Sequence, residues 1–161
     1  MQHLDHTHLD HVEVQAEVAM GGPFRYVADA ERDRRRHRRH DLEDSAIMVE
    51  RYQGPTKGGR PFGEAMDLSA SGIRIRVRCP DVKPGSQLRI RLCLPAYAGI
   101  SPFVANDGTG KASNEWTGWM TVIRMSKVNS DLWDVAGRLV DMREIDRGML
   151  GLYLSAHPLA A

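Results

Sequence analysis

A chain of 161 residues with 42% hydrophobic and 27% charged content suits one folded domain carrying a short arm, and a formal net charge of +1 excludes a protein that coats nucleic acid by bulk positive charge. Two cysteines exclude a disulfide-built scaffold and point to reduced, buried thiols at Cys79 and Cys93. No run nears the roughly 20 apolar residues of a membrane span, and no positive head precedes an apolar stretch, so the expected location is cytoplasmic.

Residues 1–30 are polar and irregular and read as a flexible arm. His3, His6, His8 and His11 invite a metal, since neutral imidazole is a common ligand. No cysteine or second cluster completes a tetrahedral set, so a solvated tail and no metal are expected. Val12, Val14, Ala16 and Val18 alternate with polar neighbours as an edge strand or extended arm would. Residues 28–36 suit a helical turn without an apolar face.

That turn leads into the densest charge of the chain, six arginines between Arg32 and Arg39 interrupted by Asp33 and His37. Unpaired guanidinium groups cost several kcal/mol to bury, so the run must face water, phosphate or carboxylate. His37 and His40 read as exposed neutral histidines within reach of an anion.

From Leu42 onward the pattern is that of strands. Ile47, Met48 and Val49 start one that ends near Tyr52, the glycines at 54, 58 and 59 turn the chain, and a return strand spans residues 61–67. Ile73, Ile75 and Val77 then alternate with Arg74, Arg76 and Arg78, which sends apolar side chains inward and arginines outward. Residues 80–85 form a turn, and Leu88, Ile90, Leu92 and Leu94 repeat the alternation. These two neighbouring strands are expected to pair antiparallel.

Residues 95–114, rich in Gly, Pro, Ser and Asn, read as a long mobile loop. A strand over 116–125 places Trp119, Thr121 and Ile123 on one face; after a turn at 129–131, Trp133, Val135, Gly137 and Leu139 mark the final strand. Trp116, Trp119 and Trp133 are expected in packing rather than base stacking. Residues 143–156 form a helix with Ile145, Met149, Leu152 and Tyr153 at helical spacing, and 157–161, with His157, a loose tail. Six short strands closed by one helix give an all-β class, a six-stranded antiparallel β-barrel plugged by its C-terminal helix and preceded by the N-terminal arm. The organisation is arm 1–30, barrel domain 31–156 and tail 157–161.

Two short stretches carry the chemistry. Arg35 and Arg39, four positions apart, can converge on one ligand, and a guanidinium fits either two phosphate oxygens or the O6 and N7 edge of guanine. Asp67, Ser69, Ser71 and Gly72 add a carboxylate able to accept from guanine N1 and N2, hydroxyls for phosphate, and a glycine free to take positive φ. Such donors and acceptors together describe a nucleotide.

At these positions the chain resembles the PilZ domain family, whose signature is RxxxR in a linker followed by (D/N)xSxxG at the head of a strand. Arg35 and Arg39 match the first element, and Asp67, Ser69 and Gly72 the second. The resemblance spans about residues 32–154, and the 95–114 insertion and histidine-bearing arm depart from a minimal domain. It implies a six-stranded barrel that binds cyclic di-GMP in bacterial signalling. Arg35 and Arg39 would grip phosphate and guanine, Asp67 and Ser69 would read the guanine edge, and Gly72 would allow the turn. Arg34 looks like the basic residue that goes with an intercalated ligand dimer. The implied role is a receptor that changes conformation on binding and signals to an unidentified partner protein, with no further cofactor. A ligand-independent adaptor and a non-specific nucleic-acid binder are the competing readings. No nucleophile elbow, phosphate-binding glycine loop or metal-ligand spacing supports an enzyme.

Overall fold

The computed structural model describes residues 37–54, 58–97 and 99–156. The alternation at 12–19, the turn at 28–36, the N-terminal histidines, Arg34, Arg35 and His157 lie outside the described residues. The strands in chain order are β1 (His40–Asp41), β2 (Met48–Tyr52), β3 (Arg60–Leu68), β4 (Gly72–Arg78), β5 (Gln87–Cys93), β6 (Phe103–Val104), β7 (Ala112–Ser113), β8 (Glu115–Lys127) and β9 (Leu132–Val140); helix α1 (Glu144–Ala156) follows.

β4 shows why the sheet forms. Ile73, Ile75 and Val77 are buried and the arginines between them are not, so one face of the strand supplies core and the other water-facing charge. The same alternation buries Leu88, Ile90 and Leu92 on β5 and Val135 and Leu139 on β9. Curling six such strands round one core gives the order β3-β2-β5-β8-β9-β4, and pairing of β4 with β3 closes the ring. Every neighbouring pair is antiparallel. Closure leaves no edge strand in the ring, and β1 adds a short seventh strand alongside β3.

The six-stranded antiparallel barrel with its terminal helix is as expected, but four local readings need correction. β4 and β5 do not pair: β4 lies between β3 and β9, and β5 between β2 and β8. The connection through Pro80, Pro84 and Gly85 is too long for a two-residue hairpin and crosses the barrel end.

Residues 95–114 are not a structureless loop. Phe103 is fully buried in the core, β6 pairs β7, and Tyr97 bridges Ile100.

The inward face of α1 is rotated from the expected one. Leu150, Tyr153 and Leu154 join the barrel core, whereas Ile145 and Leu152 are 55% and 65% exposed. Asp146 lies on the buried side because it accepts the Val104 N–H at 2.9 Å and Arg143 Nε–H at 2.6 Å, which ties the helix to β6.

Both cysteines are free but exposed. Cys93 takes the outward phase of β5, and Cys79 sits at the end of β4 with φ of 44°.

On β8, the Trp119, Thr121 and Ile123 face turns outward, and Trp116, Met120 and Val122 fill the core. Trp133 is partly buried with Lys127 Nζ 6.0 Å above its ring.

Candidate functional site

The chain enters the barrel through β1, where His40 pairs with Leu68 and Asp41 with Asp67, and the Leu42 N–H donates to Met66 O at 2.8 Å. These bonds zip the end of the arginine segment onto the last residues of β3. Arg39, one position before β1, is thereby delivered to the corner where β3 turns into β4. Its Nη1 lies 3.2 Å from Asp67 Oδ1.

That corner is built from the inside. Ser69 N–H donates to Gly72 O at 2.8 Å, and the Ser69 hydroxyl accepts the Gly72 N–H at 3.0 Å and the Ser71 N–H at 3.3 Å. Ser69 is 2% exposed, and its hydroxyl is engaged inside the turn. Helix α1 braces the turn through Arg147 Nη1, which donates to Ala70 O at 2.6 Å.

Gly72 has no positive φ, in contrast to the expectation. Close packing favours a glycine there instead. A Cβ there would sit 3.1 Å from Gly137 O and 3.8 Å from Arg39 Nη2, on the side the arginine occupies.

Asp67 also holds a second cation. Arg74 Nε donates to its Oδ2 at 2.7 Å while Arg74 Nη1 reaches Asp134 at 3.1 Å, and Arg76 continues to Asp134 at 2.9 Å and Glu43 at 3.5 Å. Charges alternate along this outer face, so each arginine there has an acid beside it. The bond to Asp134 is the main reason Arg76 holds its proton more tightly than an ordinary arginine.

His40 is buried, not exposed as expected, and burial followed by the charge of Arg38 lowers its pKa. Among the described residues no group of three His, Cys, Asp or Glu is placed to hold a metal, and no helix is long and apolar enough to cross a membrane.

No protein-family model matches this chain, and no curated protein matches it. Solved structures do. MotI/DgrA, the inhibitor of motility of Bacillus subtilis, superposes with a TM-score of 0.56 at 16% identity, over 77% of this chain and 50% of its own. The PilZ domain of YcgR from Escherichia coli, solved with c-di-GMP, gives 0.51 at 12% identity over 76% of this chain and 90% of that one. The fold is that of a PilZ domain. MrkH of K. pneumoniae, solved as its c-di-GMP complex, gives 0.53 at 14% identity over 77% of this chain and 52% of its own. The chain spans about half the length of MotI and MrkH and nearly all of the YcgR PilZ domain.

On this PilZ barrel the structure brings Arg39, Asp67, Ser69 and Gly72 to one corner, while Arg34 and Arg35 lie outside the described residues. Sequence reasoning missed Arg74, Asp134 and Arg147. The outward phase of Arg74 was visible, but its partners depend on register: Arg74 lies opposite Asp67 across one edge of β4, and across the other Asp134 lies opposite Arg76. Arg138, exposed and directly across from Gly72 in register, adds a further cation near the corner.

Proposed function

We propose that this chain is a receptor for cyclic di-GMP, with Arg34, Arg35, Arg39 and Asp67 contacting the ligand and Ser69 and Gly72 shaping the corner that receives it. The observation that carries this is the approach of Arg39 to Asp67 at 3.2 Å beside the stapled 69–72 turn. It supports one ligand being met by both sequence stretches. Arg35 lies four residues before Arg39, and an extended chain covers at most about 3.6 Å per residue, so its Cα stays within roughly 14 Å of that of Arg39. A long side chain reaches the same ligand from there.

The arrangement suggests an exchange. Asp67 already accepts from Arg39 and Arg74, so a guanine donating its N1–H and N2–H there competes with the Arg39 guanidinium for the carboxylate and displaces it. Freed, Arg39 has a phosphate or the O6 and N7 edge to grip. One partly exposed ion pair is thereby traded for charge-assisted bonds on both sides, which favours the bound form. The linker changes position as this happens, and a partner protein reading that surface would sense it. No covalent step is involved, so the role is binding, not catalysis. The alternating acids along Arg74 and Arg76 weigh against non-specific nucleic-acid binding, which needs a continuous basic track.

Calorimetric titration of cyclic di-GMP into the wild type, Arg35→Ala and Arg39→Ala tests the proposal. Saturable binding that weakens in both variants is expected; equal affinity in all three would sink it. The stoichiometry in Arg34→Ala tests the intercalated ligand dimer, which this variant should reduce to a single molecule.

A further inference from the structure

At the opposite end of β3 and β4 the barrel carries a second concentration of arginine that the site above does not use. Ile47 and Val49 point into the core, and Arg51 continues that inward phase: its partner on β5 is the fully buried Ile90. On its other side Arg51 lies directly opposite Arg60 of β3, and like charges in that relation destabilise a sheet. Arg78, the last residue of β4, lines the same cleft.

The cleft is a shallow hollow of about 200 Å³, open to solvent, with Phe62 and Val77 among its lining residues. That is below the roughly 300–1,000 Å³ of drug-sized sites and restricts an occupant to a small molecule lying partly in solvent. Arg51 stands 6.0 Å above the Phe62 ring and bonds Asp81 at 2.8 Å. Asp81 is itself 72% exposed, and neither Arg60 nor Arg78 has an acidic partner among the described residues. Three arginines therefore line a cleft whose lining holds one solvent-facing carboxylate, which bonds Arg51 alone, in contrast to the alternating ladder around Arg74 where acids and bases balance.

We infer that this cleft is a second anion site, for a small organic phosphate. Three forks against one carboxylate leave two positive charges, which matches a phosphomonoester dianion better than a single carboxylate. Guanidinium forks match phosphate oxygens in pairs. The organic part of the ligand rests on the partly buried Phe62 ring. The site is distinct from the corner at Asp67: the seven steps of strand from Arg60 to Asp67 span up to roughly 23 Å at about 3.3 Å each.

The test is a solution NMR titration of the full chain with phenyl phosphate, following the backbone amides of Phe62 and of residues 77–81. Single-site saturation is expected, with affinity at least about ten-fold weaker in Arg60→Gln/Arg78→Gln and unchanged in Arg39→Ala. Both replaced side chains are exposed, and removing like charges keeps the variant folded, which its thermal midpoint checks. Shifts that never saturate, that persist in the double variant, or that centre on residues 67–72 would overturn the inference. Because Arg39→Ala disables the proposed cyclic di-GMP site alone, the two sites succeed or fail independently.

Discussion

The Arg39 guanidinium meets one oxygen of Asp67 at 3.2 Å across 28 positions of sequence, while Arg74 Nε–H holds the other oxygen at 2.7 Å. Asp67 thus keeps a partner when Arg39 is removed. Arg39→Ala should lower stability by less than about 1 kcal/mol, as for other partly exposed ion pairs. Its cyclic di-GMP affinity should fall about 10- to 100-fold, the worth of a lost charge-assisted contact. Urea denaturation beside calorimetry separates the two. A variant that loses both in proportion would reveal a structural role only.

Removing the acid has the opposite balance. Asp67→Ala leaves Arg39 and Arg74 facing each other across a site whose carboxylate was only 13% exposed. A loss of about 1–2 kcal/mol is expected, between the surface and buried limits. Added salt should recover part of it by screening the two cations, which a denaturation series at rising ionic strength measures.

The Ser69 hydroxyl accepts two backbone N–H groups inside the turn. Ser69→Ala leaves the Gly72 N–H without that acceptor, so stability should fall by about 1–3 kcal/mol. Hydrogen exchange at residues 71 and 72 should quicken, and ligand affinity should drop with the loosened corner. Unchanged exchange with lost binding would instead mean that the hydroxyl turns outward to the ligand.

Gly72 needs no unusual φ, yet a Cβ there meets Gly137 O at 3.1 Å. Gly72→Val should therefore destabilise by about 1–3 kcal/mol through overpacking, and Gly72→Ala by less. Both additions point toward Arg39, so ligand affinity should fall more steeply than stability across the series. Parallel losses in calorimetry and thermal unfolding would contradict that.

What the sequence disclosed and what it hid divide along one line. The alternation of Ile73, Ile75 and Val77 with arginines is local, so strand, buried face and charged face were all legible. Which strand neighbours which is not local: adjacency of β4 to β9 rather than β5 follows from closing the ring. The inward face of α1 was misread for the same reason, since the acid Asp146 is on the core side only because Val104, 42 positions earlier, offers it an N–H. Phe103 was lost among the Gly, Pro and Ser of its segment, although one buried aromatic was enough to anchor it. At the site, residue types disclosed Asp67 and Arg39, whereas the geometric task of Gly72 and the inward role of Ser69 required coordinates.

His40 gives the corner a pH dependence whose sign follows from its burial. Its pKa lies below the ordinary 6.5 because burial, and then the charge of Arg38, disfavour the imidazolium. In the unfolded chain the ring returns to its ordinary value and binds a proton the folded protein refuses. Between 6.5 and the lowered folded value the unfolded state therefore holds more protons, and stability drops as pH falls through that window. Above it the contribution is fully present. Denaturation midpoints measured from neutral pH down to about pH 5, where most carboxylates remain ionised, should decline in the wild type. They should stay flatter in His40→Gln, which lacks the titrating ring; matching slopes in the two proteins would assign the acid sensitivity elsewhere. Since β1 seats Arg39 beside Asp67, the same decline should appear in cyclic di-GMP affinity only if protonation unzips β1 from β3, which faster exchange of the Leu42 amide at low pH would register independently.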